Sequence, residues 1–280
     1  MDGANRFNGK SGAIERAAAG IKIPACGIAI MAKASAPGRT KTRLVPPLTF
    51  EQAAALNTAF VQDIAGNLLL AGRYTSIAGY AAFAPPGSEA FFRRNLPSAI
   101  GLIDACLPNF GDCLLRAIEE IFTRGHASAV VLNSDSPTLP TALLVETADA
   151  LARPGERAVL GPSSDGGYYL LGLKTAHRRL FEDIAWSTER VAEQTLGRAR
   201  ELKLEVHALP VWYDVDDVEG LRRLYGEVRG LRAAKRRLDP SEPHYPAATA
   251  SLMHSLWTGG EFAGERRRPE ATTQAEIEAG

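Results

Sequence analysis

The stretch that most constrains the fold is an apolar run that stops abruptly at small polar residues. Ala129 to Leu132 are apolar, and Asn-Ser-Asp-Ser-Pro follows at 133–137. A near-continuous apolar run is typical of a strand buried in a parallel sheet. Open α/β sheets bind ligands at the carboxyl ends of such strands. Asp135 is therefore a candidate ligand for a divalent cation, and the alternative is that it only caps a turn or the next helix.

Strand and helix patterns alternate along most of the chain. Strands are predicted at 23–33, 74–83, 99–103, 127–132, 157–160, 168–173 and 204–209. Helices are predicted at 49–72, around 91–92, and at 111–124, 141–151, 189–202 and 218–231. The first helix has Thr49 as its expected N-cap and Gln52 as the capping-box partner. This alternation predicts an α/β fold with a mainly parallel sheet covered on both faces.

Composition excludes several classes of protein. The chain has 32 basic residues (lysine and arginine) and 32 acidic residues (aspartate and glutamate), so its formal net charge is zero. It therefore has no net charge with which to attract duplex nucleic acid or an anionic membrane. Three cysteines without a CxxC pair suggest neither a disulfide framework nor a zinc site, which fits a cytoplasmic protein. No apolar run approaches the roughly 20 residues that span a bilayer.

The domain organisation is expected to be simple. Residues 1–22 are expected to be a disordered lead without a signal peptide's apolar core. Residues 23–231 should form one α/β domain. Residues 232–280 change to charge clusters and prolines, and we expect a partly disordered C-terminal extension in which 252–257 packs as a short helix.

Three loops at expected strand ends could carry chemistry. The loop after the first strand surrounds Gly38 with four cations, Lys33, Arg39, Lys41 and Arg43. It is neither a Walker A loop nor GxGxxG, but it could cradle a diphosphate, and the alternative is a solvated basic loop. A second loop, 161–169, contains Asp165-Gly166-Gly167, which is either a ligand-facing turn or an ordinary hairpin turn. The third, 214–217, holds three aspartates, one of which could simply cap the following helix.

Five motifs follow one another over about residues 23–231, and together they are similar to one family. In chain order they are K-x-x-x-x-G-R-x-K-T-R-L, S-D-S-P, G-P-x-x-D-G-G-Y-Y-L-x-G-L, W-S-T and D-V-D. They resemble bacterial transferases of the nucleotide-diphospho-sugar type, the radical-SAM/selenodomain-associated or arsenosugar-biosynthesis glycosyltransferase group. More distantly they are similar to guanylyltransferases of molybdenum-cofactor and phospholactate metabolism. The segment 109–113 departs from the family pattern because the second glycine of Gly-Asp-Leu-Gly is missing.

The resemblance implies a GT-A fold: a Rossmann-like, three-layer α/β/α arrangement with a mainly parallel mixed sheet. It implies Mg²⁺ or Mn²⁺ held by Asp135 and Asp216, both directed at one cation. The implied nucleotide-binding residues are Lys33, Gly38, Arg39, Lys41, Arg43, Ser134, Gly166, Gly167 and Tyr168. Asp165 would face the acceptor as a base or a further metal contact, and Lys41 and Arg43 would assist catalysis at the phosphates.

The expected activity is metal-dependent glycosyl transfer from a nucleotide-diphospho-sugar to a small-molecule acceptor. A metal and a basic loop would both neutralise charge that develops on the leaving diphosphate. The close alternative is a nucleotidyltransferase that uses a nucleoside triphosphate, because four cations exceed what a metal-bound diphosphate requires. A non-catalytic nucleotide-binding protein is the third possibility.

Overall fold

The computed structural model describes residues 25–233 and 239–258. Seven strands are present in this part: β1 Cys26–Lys33, β2 Ile77–Ala84, β3 Gly101–Asp104, β4 Ser128–Leu132, β5 Arg157–Pro162, β6 Tyr168–Leu173 and β7 Glu205–Ala208. The α-helices are α1 Phe50–Ala71, α2 Glu89–Asn95, α3 Phe110–Thr123, α4 Thr141–Ala152, α5 Val191–Glu201, α6 Val218–Ala233 and α7 Ala247–Thr258. Short 3-10 turns occur at Thr42–Leu44 and Arg178–Phe181.

The seven strands form one mixed sheet in the order β3-β2-β1-β4-β6-β5-β7. β1 pairs in parallel with β2 and β4, and β6 is antiparallel to both β4 and β5. Six strands therefore end at one edge of the sheet, and the reversed β6 begins there. Loops from distant parts of the chain meet at this edge.

Helices cover both faces of the sheet. α1, α2 and α4 pack on one face, around Ile28, Ile30 and Val130. α3 and α5 pack on the other face, around Ala29, Val131 and the 3-10 turn at 178–181. Alternate residues of β1 and β4 thus enter opposite layers, so these strands are buried on both sides and lack a polar face. The expected three-layer α/β/α fold with a mainly parallel mixed sheet is confirmed.

A third apolar cluster lies outside the first layer. Leu56 and Phe60 of α1 pack against α6, α7 and the loop residue Leu44. The side chain of Asp63 accepts hydrogen bonds at 2.8 Å from the backbone N–H groups of Ala248 and Thr249, in the first turn of α7. A carboxylate at a helix N-terminus satisfies otherwise unpaired amides, so α1 fixes the position of α7.

Local predictions agree closely with these elements. Thr49 and Gln52 form the expected capping box in both directions, at 3.2 and 2.8 Å. The helix expected at 252–257 is the longer α7. The lead expected at 1–22, and residues 259–280 of the expected extension, lie outside the described residues. None of the described helices combines the length and the apolar character that a membrane-spanning segment needs.

Candidate active site

The site is built at the edge where β4 ends. Leu132 is the last residue of β4, and the chain turns through buried Ser134, Ser136 and Pro137. Asp135 is the partly exposed residue of this turn, with 30% of its side chain accessible. Its carbonyl oxygen accepts a hydrogen bond from the N–H of Val215 at 2.9 Å. That backbone contact brings the segment 214–217 alongside the end of β4, although 80 residues separate them in sequence.

Asp135 and Asp216 converge on one positive charge. The ammonium nitrogen of Lys41 lies 2.7 Å from Oδ1 of Asp135 and 2.9 Å from Oδ1 of Asp216. It also donates to the carbonyl oxygen of Val215 at 2.7 Å. Only 6% of the Lys41 side chain is exposed, against 43% of that of Asp216. Lys41 thus reaches the carboxylates from inside the protein, and their outer sides face solvent.

The backbone at Lys41 adopts an unusual conformation to make this contact. Its φ and ψ are 51° and 37°, the left-handed region that non-glycine residues rarely occupy. The next turn of chain is anchored by Leu44, which is fully buried, and the ammonium lies 5.4 Å from the centre of the Phe60 ring. Burial alone would lower the pKa of Lys41, but Asp135 and Asp216 raise it above its ordinary value, so this lysine is charged.

Asp214 adds a further carboxyl group that the sequence did not single out. Burial, followed by the negative charges of Asp165, Asp216 and Asp135, raises the pKa of Asp214 to about 6. All four carboxyl groups therefore share one electrostatic environment, with Lys41 as its buried cation. Such an excess of negative charge repels phosphates unless another cation enters. The sequence does contain a signal for Asp214, because apolar Val215 lies between two aspartates. Val215 is fully buried, so in an extended chain Asp214 and Asp216 lie on the same, opposite side.

The turn between β5 and β6 holds Asp165 next to this cluster. Oδ1 of Asp165 accepts the N–H of Gly167 at 2.9 Å, which closes the turn locally. Gly166 has a φ of 88°, and a Cβ there would lie 2.1 Å from the carbonyl oxygen of Glu189. The carbonyl oxygen of Gly166 accepts the N–H of Ala192 at 3.0 Å. Gly166 therefore permits both the turn and the close packing of the start of α5.

Aromatic rings form the wall on the other side of the turn. Trp186 packs edge-on against both Tyr168 and Phe110, with ring centres 6.5 and 5.4 Å apart. Phe110 is 50% exposed. A Cβ at Gly111 would lie 2.9 Å from Nε1 of Trp186, so the first turn of α3 needs this glycine to approach the wall. Trp186 and Phe110 were not among the expected site residues.

Tyr168 is placed differently from the expectation that it faces a ligand directly. Its hydroxyl oxygen is buried and has no hydrogen-bond partner among the described residues. Burial raises the pKa of this phenol. Tyr168 therefore presents ring surface within the aromatic wall, and its hydroxyl points into the protein.

The other expected phosphate-binding residues lie on the exposed side of the loop after β1. Lys33, Arg39 and Arg43 are exposed, and none forms an ion pair within the described part of the chain. Gly38 has a φ of 73°, and a Cβ there would meet only a ring carbon of Phe50, at 4.0 Å. Ser134 is buried and donates a 3.3 Å hydrogen bond to Oδ1 of Asp135. The structure thus brings Lys41, Ser134, Asp135 and Asp216 together, whereas three of the cations remain at the surface.

The donor set fits a hard divalent cation. Carboxylate and hydroxyl oxygens are the ligands that Mg²⁺ and Mn²⁺ prefer, and Mg²⁺ is commonly held by one or two carboxylates together with substrate phosphates. Asp135 and Asp216 already approach a single positive centre to within 3 Å. Among the described residues, no group of three or more histidine, cysteine, aspartate or glutamate side chains is arranged to hold a metal by itself. The two carboxylates would therefore need ligands from a substrate or water.

Comparisons with known proteins agree with this fold. Residues 70–188, less than half of the chain, match the family model described as "Uncharacterized protein conserved in bacteria (DUF2064)". The matched region includes Asp135, Asp165 and Trp186 but neither Lys41 nor Asp216. No curated protein matches the sequence.

Among solved structures, the chain is similar to a provisionally named nucleotide-diphospho-sugar transferase from Desulfovibrio desulfuricans G20. The identity is 27%, the TM-score is 0.69, and the match covers 84% of this chain and 96% of that one. A cytidylyltransferase from Leptospira borgpetersenii serovar Hardjo-bovis (strain JB197) is 12% identical, with a TM-score of 0.49 and coverages of 87% and 98%. A nucleotidyl transferase from Methanothermobacter thermautotroptrophicus is 14% identical, with a TM-score of 0.46 and coverages of 75% and 99%.

The last two likenesses, at TM-scores under 0.5, add nothing to the assignment. The first covers 96% of the Desulfovibrio chain. With the family match and the loop motifs, it supports the family expected from the sequence. The chain is thus similar to the bacterial transferases of the nucleotide-diphospho-sugar type.

Proposed function

We propose that this protein is a metal-dependent glycosyltransferase that uses a nucleotide-diphospho-sugar as its donor. The observation that carries the proposal is the convergence of Asp135 and Asp216 on one cationic centre at the edge of the sheet. Ligands of open α/β sheets bind at this edge. The name of the Desulfovibrio protein points to the same class of donor.

Asp135 and Asp216 are the proposed ligands of Mg²⁺ or Mn²⁺. When bound, the metal ion would supply positive charge to the diphosphate as it leaves the sugar. Ser134 keeps Asp135 oriented through its hydrogen bond to Oδ1. Without a divalent cation, the negative charges of Asp135, Asp165, Asp214 and Asp216 would repel the donor.

The exposed cations of the loop after β1 are the proposed phosphate contacts. Lys33, Arg39 and Arg43 have solvent-facing side chains with no competing ion pair within residues 25–233 and 239–258. Arginine binds phosphate through two parallel hydrogen bonds, and lysine binds it as a point charge. Gly38, with its positive φ and open surroundings, lets a phosphate approach the backbone amides.

The acceptor is proposed to bind between the turn 165–167 and the aromatic wall. Asp165 is exposed, and its carboxylate can accept a proton from an acceptor hydroxyl or thiol as that group attacks the sugar. Gly166 and Gly167 leave this carboxylate uncovered. Phe110 and Trp186 offer ring surface on which an acceptor with an apolar face can pack.

Nucleotidyl transfer from a nucleoside triphosphate is the second proposal. It is favoured by the same three exposed cations, since a third phosphate would provide each of them with a partner. The two reactions need the same metal ligands and differ in the atom attacked, which is a sugar carbon or the α-phosphorus. Binding without catalysis would leave the carboxylate of Asp165 without a role.

A ligand panel separates these functions. Thermal unfolding is measured with nucleotide-sugars and with nucleoside triphosphates, each with Mg²⁺ or Mn²⁺ and each with a chelator. Glycosyl transfer predicts the largest metal-dependent stabilisation from a nucleotide-sugar, and nucleotidyl transfer predicts it from a triphosphate. Asp135→Asn should abolish the metal-dependent part, whereas Asp149→Asn, an exposed carboxylate on α4, should leave it unchanged. A protein that no nucleotide stabilises would contradict both proposals.

A further inference from the structure

We infer that Lys41 acts as an internal counter-cation that keeps the Asp135–Asp216 pair closed to free divalent metal until nucleotide phosphates draw its ammonium away. The inference rests on the proposed function for the identity of the ligands, and it concerns the order in which they enter. A metal ion alone is excluded from the pair. Metal and nucleotide bind together.

The ammonium of Lys41 occupies the position that a shared cation would take. It is within hydrogen-bond distance of one oxygen of each carboxylate, at 2.7 and 2.9 Å. A divalent cation that bridges the same two oxygens needs the space and the negative charge that the ammonium now uses. Two cations within about 3 Å of the same oxygens would also repel each other strongly. Binding of metal at the pair therefore requires that Lys41 withdraw.

Withdrawal of Lys41 is disfavoured when no other anion is present. Its third contact is the carbonyl oxygen of Val215, at 2.7 Å, and the centre of the Phe60 ring lies 5.4 Å away. An ammonium that left both carboxylates would lose two charge-assisted hydrogen bonds inside the protein. The left-handed backbone at Lys41 holds the side chain in this inward path.

Nucleotide phosphates provide the exchange partner. The same loop carries Lys33, Arg39 and Arg43, whose exposed side chains can bind a diphosphate within a few residues of Lys41 along the chain. Phosphate oxygens can accept the hydrogen bonds of the ammonium, and the two carboxylates are then free to bind the metal that accompanies the nucleotide. The number of charge-assisted contacts is retained, and only the partners change.

The role of Lys41 can be tested by measuring Mn²⁺ binding to the full chain without any nucleotide. Free Mn²⁺ gives a sharp electron paramagnetic resonance signal that decreases on binding. Lys41→Met, which leaves an unbranched side chain one atom shorter and removes its charge, should bind one Mn²⁺ at least roughly tenfold more tightly than the wild type. Lys41→Met combined with Asp216→Asn should lose this gain. Lys33→Met removes the same charge from an exposed position of the same loop and should change the affinity much less.

Lys41→Arg and Lys41→Gln extend the test if the methionine variant does not fold. Arginine retains the charge and should keep Mn²⁺ out, and glutamine should admit it. Equal Mn²⁺ affinity in the wild type and the uncharged variants would overturn the inference, as would tight binding to the wild type alone. Failure of the proposed function has another signature, namely that no nucleotide-sugar or triphosphate stabilises the wild type at any metal concentration.

Discussion

Gly166 offers the sharpest test of how the site is assembled. It forms the turn that presents Asp165, and its φ is 88°. An alanine Cβ there would lie 2.1 Å from the carbonyl oxygen and 2.6 Å from the carbonyl carbon of Glu189. These are backbone atoms just before α5, so they cannot move aside as a flexible side chain would. Gly166→Ala should therefore disturb both the turn and the docking of α5.

Two separate costs can be assigned to this substitution. The left-handed conformation costs a non-glycine residue about 1–2 kcal/mol. Forcing an extra carbon against fixed backbone typically costs about 1–3 kcal/mol more. We therefore expect Gly166→Ala to lower the free energy of unfolding by about 2–5 kcal/mol. Nucleotide-sugar binding should weaken as well, because Asp165 moves with the turn.

Gly87 is a matched control for the backbone cost alone. Its φ is 81°, and an added Cβ would meet nothing within 4 Å. Urea unfolding of Gly87→Ala should show a loss of only about 1–2 kcal/mol. The difference between the two variants measures the contact with Glu189. If Gly166→Ala cost no more than Gly87→Ala, the close packing of this turn against α5 would be refuted.

Three further predictions concern buried polar groups. The pKa of Asp214, raised to about 6 from 3.8, means that the metal-free folded protein binds a proton that the unfolded chain releases between these values. The stability that this proton provides is present below about pH 4 and is lost as the pH rises through 6. In urea unfolding, Asp214→Asn should therefore raise the free energy of unfolding by about 1–2 kcal/mol at pH 7.5 and change it little at pH 4. Asp63→Ala should cost about 1–2 kcal/mol, read from the urea midpoint, because two amides at the start of α7 lose their acceptor. Asn67→Leu should lower the free energy of unfolding by about 2–4 kcal/mol, seen as a lower thermal midpoint. Asn67 is 1% exposed; its amide donates to the carbonyl of Leu139 and accepts from the hydroxyl of Thr141, each at 2.7 Å.

Local sequence signals were sufficient for most of the elements. The capping box at Thr49 and Gln52 placed the start of α1 correctly because it depends only on residues three apart. The apolar run of β4 marked a strand buried on both faces. The 3-10 turn at 178–181 was not predicted, since its buried residues Leu180 and Phe181 are held by packing against α3 and have no periodic pattern of their own.

Contacts between distant segments were beyond the reach of such signals. Asp135 and Asp216 are expected from the sequence to share a cation, but no local pattern indicates that Lys41 lies between them. A lysine in a loop with three other cations has the same local pattern whether it faces solvent or a buried acid. Its direction depends on the left-handed turn at Lys41 and on the packing of Leu44, which shares an apolar cluster with α1 and with the distant α6.

The most direct test of the metal site is anomalous diffraction from crystals grown with Mn²⁺ and the nucleotide that stabilises the protein most. We expect one Mn²⁺ liganded by an oxygen of Asp135 and an oxygen of Asp216, with further ligands from the phosphates. The ammonium of Lys41 should then contact a phosphate oxygen. Mn²⁺ bound elsewhere, with Lys41 still joined to both carboxylates while nucleotide is present, would contradict the account.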